Sequence, residues 1–341
     1  LPTTTIVHGA PRFVTAADGI LLVIGAGVVA YAVLGGADFG GGVWDLLAAG
    51  PRRDAQRRLI ATTMGPVWEA NHVWLVFVLI GLFSGFPVAF GALARMLAVP
   101  LAVALLGIVL RGAAFVFRQY GGAPADGWGR VFAIASTLAP VSLGYCAGAV
   151  AVGGTGGAFP VAAGVLALAC CAYLAAVFLC RESVVRGGPN RGTDLASDFR
   201  RRALGSAVVA GASAALALPV LAHDAPGLAS DLVSGAPVLV ALSAAGGVGS
   251  IAALAARRYR TARGFAAVAV GAMVAGWGVA QHPVLVPPAL TVPQAAAPAQ
   301  TLPVTLGVLI AGFAVTVPAL VLLFWVFGRA SPDRSDPPGR S

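Results

Sequence analysis

The sequence contains no lysine and only two glutamates, and charged residues of every kind make up 10% of it. A soluble domain uses roughly 25% charged residues to cover its surface. With 58% hydrophobic residues and a mean hydropathy of +0.88, this chain has too little polar surface to face water on all sides. Its solvent is lipid. The basic residues are 22 arginines, a bias shared with the richness in Ala, Gly and Val and read here as compositional. A net charge of +9 would suggest nucleic acid for a soluble protein. Here the arginines cluster in short loops between apolar runs, where they set topology, so no nucleic-acid partner is expected. Cys146, Cys170, Cys171 and Cys180 lie in or beside apolar runs without metal-ligand spacing, which argues against a disulfide framework or a zinc site. Residues 1–5 lack the charged start and cleavage site of a signal peptide, and residues 331–341 read as a disordered tail.

What is present is a series of long apolar runs. A transmembrane helix needs about 20 mostly apolar residues. On that scale the chain is an all-α, polytopic integral membrane protein, a single transmembrane domain over 1–330. Nine spans are expected near 17–42, 60–82, 86–117, 130–152, 159–180, 203–222, 235–256, 264–282 and 304–328. The runs lack the apolar/polar alternation of a β-barrel. One set of loops, from Arg52 to Arg58, Arg118 to Arg130, Arg181 to Arg202, Arg257 to Arg263 and Arg329 to Arg340, holds 19 arginines, and the opposite set holds only Arg12. By the positive-inside rule the arginine-rich loops are cytoplasmic, the N-terminus outside and the C-terminus inside, as an odd number of spans requires.

Ionisable groups in a bilayer cost roughly 2.5–3.5 kcal/mol each on insertion scales and are functional candidates by default. Glu69 sits inside the second span, in Pro66-Val67-Trp68-Glu69-Ala70-Asn71-His72-Val73-Trp74-Leu75, and Asp38 inside the first, in Gly35-Gly36-Ala37-Asp38-Phe39-Gly40. Arg95 and Arg111 lie in the third. Counted from the loop that joins spans one and two, both carboxyls lie about 16–18 Å deep, near mid-membrane. Arg111 is expected roughly 10 Å from the same face, within reach of either. Two buried carboxyls with an amide, an imidazole and an arginine are what a proton relay requires, because removal from water raises the proton affinity of a carboxyl while a guanidinium opposes it. The alternative is an ion pair that only joins helices. Glu69 and His72 share a helix face, but a di-iron site needs further intramembrane glutamates that this chain lacks. His72 is the only deep histidine, a weak basis for a haem site. Trp68 and Trp74 flank the polar cluster and are expected to pack against a helix of this chain or of a partner. The glycines around Asp38 serve close packing, or loosen the helix into an unwound turn.

These two motifs resemble subunit II of the cytochrome bd-type quinol oxidases. The first-span element is similar to that family's Asp-Gly-Phe-Asp-(hydrophobic)-Gly, and the second to its Pro-x-Trp-(Asp/Glu)-x-Asn-x-x-Trp-Leu. Phe86-Pro87, Arg111 and Phe265 to Pro288 are also similar, so the resemblance covers nearly the whole chain. It implies two four-helix bundles plus one peripheral helix, and no haem or metal in this chain. The haem b and haem d-type groups would be held by the larger subunit I, a heterodimer partner, which also carries the quinol site. The small subunit would stabilise that partner in the bacterial plasma membrane and supply a cytoplasmic proton pathway for the reduction of oxygen to water. On this carry-over Asp38 and Glu69 are pathway residues, with Arg111, His72 and Asn71 in support. A structural quinone or lipid in a side groove and a small accessory subunit are compatible with the resemblance. Two departures stand out. The family's first aspartate is Gly35 here, so a relay through that carboxyl cannot run identically, and its usual aspartate after tryptophan is Glu69. The Glu-Ala-Asn-His version is similar to divergent, cyanide-insensitive-type members. The competing reading is a proton-coupled secondary transporter using Asp38 and Glu69, which an inverted repeat would favour. No copy of either motif occurs in the second half.

Overall fold

The computed structural model describes residues 15–64, 68–120, 125–186 and 191–329. Thr15 opens the first helix, α1 (Ala16–Ala30), through a capping box: its hydroxyl accepts the Asp18 N–H while the Asp18 carboxylate accepts the Thr15 N–H. A π-helical stretch, Tyr31–Gly35, joins α1 without a break to α2 (Gly36–Leu46), so the first span runs over 31 residues. α2 stays helical through Gly40, Gly41 and Gly42, so the unwound turn expected as one option does not form. The glycines serve packing instead. A Cβ on Gly40 would collide with the backbone carbonyl of Cys171, and one on Gly42 with the Ser136 side chain.

The second expected span begins later than its hydropathy suggests. The polar α3 (Arg53–Met64) is a helix of its own, and the apolar one is α4 (Trp68–Gly85). The third divides at Leu97 into α5 (Pro87–Met96) and α6 (Ala98–Tyr120), which leaves Arg95 in the last turn of α5 rather than in the crossing helix. There follow α7 (Ala125–Val152), α8 (Phe159–Arg186), α9 (Arg191–Asp224), α10 (Pro226–Gly235), α11 (Pro237–Ala255) and α12 (Tyr259–Gln281). Prolines at the start of α5, α10 and α11 occupy first-turn positions, where the missing N–H costs nothing. The Pro-rich stretch carries a small antiparallel hairpin, β1 (Val284–Val286) with β2 (Leu290–Thr291), then the short α13 (Val292–Ala295). The last helix is α14 (Leu302–Arg329).

Among the described residues eight helices are long and apolar enough to cross a membrane, and Asn71–Gly85 adds a shorter apolar one. The chain is an all-α, multi-pass membrane protein. In one group α1 packs on α4, α2 on α7, and α6 on α7; in another α8 packs on α9 and α12, and α11 on α12 and α9. The groups meet where α8 lies against α2 and α7. Burial ranks the helices: 67% of the most apolar window of α8 is buried, against 6% for α14. α8 is therefore the central helix. α14 is peripheral: Leu306 and Leu309 pack into the cluster with Ile20 and Ile24 of α1, and Phe313 lies on Trp74 (ring centroids 5.3 Å apart) and Phe77 (5.7 Å) of α4. Much of its remaining surface, including Val315 and Val321, faces outward. The tail at 331–341 lies outside the described residues.

Candidate functional site

Asp38 is carried on α2 and buried to 1% exposure, and Arg111 on α6 is buried to 3%. They are partners. Nη2 of Arg111 donates to Oδ1 of Asp38 at 2.8 Å and to the Asp38 backbone carbonyl at 3.2 Å. Its Nε donates to Oγ of Ser136 on α7 at 3.0 Å. Gly42 makes this third bond available, because Ser136 occupies the space that a side chain at position 42 would fill. The guanidinium also lies over the Phe39 and Phe132 rings, 5.3 and 5.1 Å from their centroids. Arg111 is thus fixed from two neighbouring helices, α2 and α7. The other carboxylate oxygen, Oδ2 of Asp38, is buried and has no hydrogen-bond partner among the described residues.

The other expected residues fall in several places. His72 lies beside the Tyr31 and Phe39 rings, with centroids 6.2 Å from each. Asn71 is fully enclosed, and its Nδ2 donates to the Leu34 carbonyl at 3.2 Å, inside the π-helical stretch. Trp74 is buried and packs on Phe313 of this chain's own α14. Glu69 and Trp68 belong to the first turn of α4, and their side chains lie outside the described residues. The structure thus joins Asp38 to Arg111, sets His72 beside Phe39 next to Asp38, and ties Asn71 to Leu34 one turn before Asp38.

A second buried pair was not anticipated. Asp45, with no exposed surface, accepts from Nη1 of Arg118 at 2.9 Å, and Nε of Arg57 donates to the Asp45 carbonyl at 3.3 Å. Asp45 follows Asp38 by seven residues, and Arg118 follows Arg111 by seven. That shared spacing of two helical turns was the signal available in the sequence. Phe132 serves both arginines, with the Arg118 guanidinium 4.9 Å from its centroid.

A third polar cluster ties α3 to the start of α9. Arg52 makes a bidentate pair with Asp198 (2.7 and 2.8 Å), joined by Gln56 and Arg201. Arg202 donates to Gln56 at 2.8 Å and lies over the Trp44 and Phe199 rings. Asp198 pushes the Arg52 guanidinium above its ordinary value, chiefly through the hydrogen bond. With Arg52 43% exposed, this cluster resembles a solvated helix clamp rather than a site inside the membrane.

His72, the one deep histidine, faces the Tyr31 and Phe39 rings of the first span. Among the described residues no three His, Cys, Asp or Glu side chains converge as a metal set.

A sequence profile described as cytochrome bd terminal oxidase subunit II matches residues 18–327. The chain is 33% identical over 90 residues to the cytochrome bd ubiquinol oxidase subunit 2 of Bacillus subtilis (strain 168), a stretch that covers 26% of each protein. It is 28% identical over 98 residues to the cytochrome bd-I ubiquinol oxidase subunit 2 of Escherichia coli (strain K12), covering 29% of this chain and 25% of that one. These pairwise matches thus span about a quarter of the relatives' length. In three dimensions the fold matches a chain of the bd oxidase from Geobacillus thermodenitrificans with a TM-score of 0.74 at 20% identity, over 93% of this chain and 99% of that one.

Proposed function

This chain belongs to the cytochrome bd terminal oxidase subunit II family, and from that premise we propose that it is the haem-free subunit of a quinol:oxygen oxidoreductase and delivers protons through Asp38. The observation that carries the proton role is the half-satisfied carboxylate: Arg111 holds Oδ1, while Oδ2 is buried without a partner among the described residues. Magnitudes support function over glue. Each buried charge costs roughly 2.5–3.5 kcal/mol to insert, and a buried pair often returns no more than well-packed apolar residues would. A scaffold would gain little from it.

In this reading the carboxylate takes a proton on Oδ2 and releases it to the next acceptor, returning to the charged form that Arg111 stabilises. Arg111 stays protonated throughout and keeps the carboxyl in place. Asn71, bonded to Leu34, and His72, beside Phe39, are supporting residues, and Glu69, one turn before His72 on α4, is a further pathway residue. A Glu69→Gln variant that keeps full proton-coupled turnover removes Glu69 from the route. Haem b and haem d-type groups, held by a larger subunit I, supply the oxygen chemistry. Quinol and lipid are the other partners, with a structural quinone and a small accessory subunit compatible with the assembly. The spans form one membrane domain in a bacterial plasma membrane, with the N-terminus outside and the arginine-rich loops in the cytoplasm. The family does not favour the transporter reading of the same carboxyls.

The test is purification from native membranes with a reduced-minus-oxidised visible spectrum and identification of co-isolating chains. A haem-bearing larger subunit with quinol-dependent oxygen uptake is the expected result. A colourless preparation without such a partner contradicts the proposal.

A further inference from the structure

The second ion pair stands in register with the first, and this geometry carries more than the pair itself. α2 and α6 run in the same direction, as first and third spans do, so the two seven-residue steps place Asp45–Arg118 two turns below Asp38–Arg111. The rise between the carboxyls is about 10.5 Å, toward the arginine-rich end. The strip of α2 between them carries Gly41 and Gly42, three and four residues from Asp38 and likewise from Asp45. No α2 side chain fills that strip. The group that enters it at Gly42 is polar, the Ser136 hydroxymethyl, beside the Phe132 ring. Each carboxylate keeps one buried oxygen without a hydrogen-bond partner among the described residues, Oδ2 of Asp38 and Oδ1 of Asp45. Arg118, 15% exposed, leads outward from Asp45, and Arg57 sits over the Asp45 carbonyl.

Resting on the proton role of Asp38, we propose that Asp45 with Arg118 is a second relay station on the same route, between Asp38 and the arginine-rich face. A hydronium ion at that face gives a proton to Oδ1 of Asp45, which becomes the neutral acid, and water is left behind. The acid passes the proton along the glycine-lined strip to Oδ2 of Asp38, and Asp45 returns to its charged form. Hydrogen bonds of about 2.8 Å make the gap one of roughly three bridging waters, with the Ser136 hydroxyl available as a member of the chain. Both guanidiniums stay charged, so the proton in transit carries one positive charge from the Asp45 pair to the Asp38 pair, and both pairs return to zero net charge once Asp38 releases it.

The test uses the whole complex, isolated with its partner and reconstituted in vesicles, and follows proton uptake during a single turnover with oxygen. The neutral double variant Asp45→Asn/Arg118→Gln removes the carboxyl without stranding a charge, and Asp45→Glu restores it. The double variant is expected to keep wild-type haem content and to slow proton uptake by roughly tenfold or more, a modest share of what a positioned proton-transfer group contributes. Asp45→Glu is expected to recover most of the rate. Full-rate uptake in the double variant overturns the proposal, and if Asp38→Asn is slow in the same assay the Asp38 relay survives alone. Unaltered uptake in both sinks both readings. Loss of haem content in the double variant and in Asp45→Glu alike assigns the pair to folding and also overturns it.

Discussion

Arg111 donates to Asp38 across 2.8 Å inside the helix bundle, with side chains only 3% and 1% exposed. Removing one partner of a buried pair costs about 3–5 kcal/mol, because the other charge is left uncompensated. Arg111→Ala is therefore expected to lower the melting temperature of the detergent-solubilised complex sharply. Arg52→Ala breaks a bidentate pair whose arginine is 43% exposed, worth only about 0–1 kcal/mol. Equal losses in the two variants would contradict this ranking of the pairs.

The close approach of α2 to α8 depends on Gly40. Gly40→Ala drives a methyl into the Cys171 carbonyl, backbone that cannot swing aside, and is expected to destabilise the complex by about 3 kcal/mol or more, at or beyond the upper end for overpacking. Gly278→Ala, with open space at the same position, is the control and should be neutral. Thermal unfolding of the two variants side by side decides the point.

Helix α14 meets α4 through the Phe313 ring. Phe313→Ala removes its pairs with Trp74 and Phe77, each worth about 0.5–1.5 kcal/mol. Hydrogen exchange should rise selectively in α14 while α8 stays protected. A uniform rise across the chain would show that α14 is integral to the bundle rather than peripheral.

The native cysteines are all buried, so they give a silent background for labelling. Thr155→Cys, in an exposed arginine-poor loop, should react with an impermeant maleimide on intact cells. Asp54→Cys, exposed on α3, should react only after permeabilisation. The reverse pattern would invert the topology.

Much of this architecture was legible in the sequence, for physical reasons that also mark where legibility ended. Span positions follow from hydropathy, because lipid demands about 20 apolar residues per crossing. Asp38 and Arg111 stood out because charge in an apolar run is costly. Asp45 did not stand out, since it lies one residue from the end of α2, and Arg118 was counted among loop arginines. The π-helical stretch at Tyr31–Gly35 leaves no compositional mark, although it sets the phase of α2 relative to α1. The division between α5 and α6 was missed because hydropathy averages across the turn at Leu97.

The most direct test of the account is the neutral double variant Asp38→Asn/Arg111→Gln in the reconstituted complex, read as proton uptake per turnover with haem content measured on the same sample. The account predicts normal haem content with proton uptake slowed by roughly tenfold or more. Normal haem content with wild-type uptake would contradict it and reduce the pair to a helix clamp.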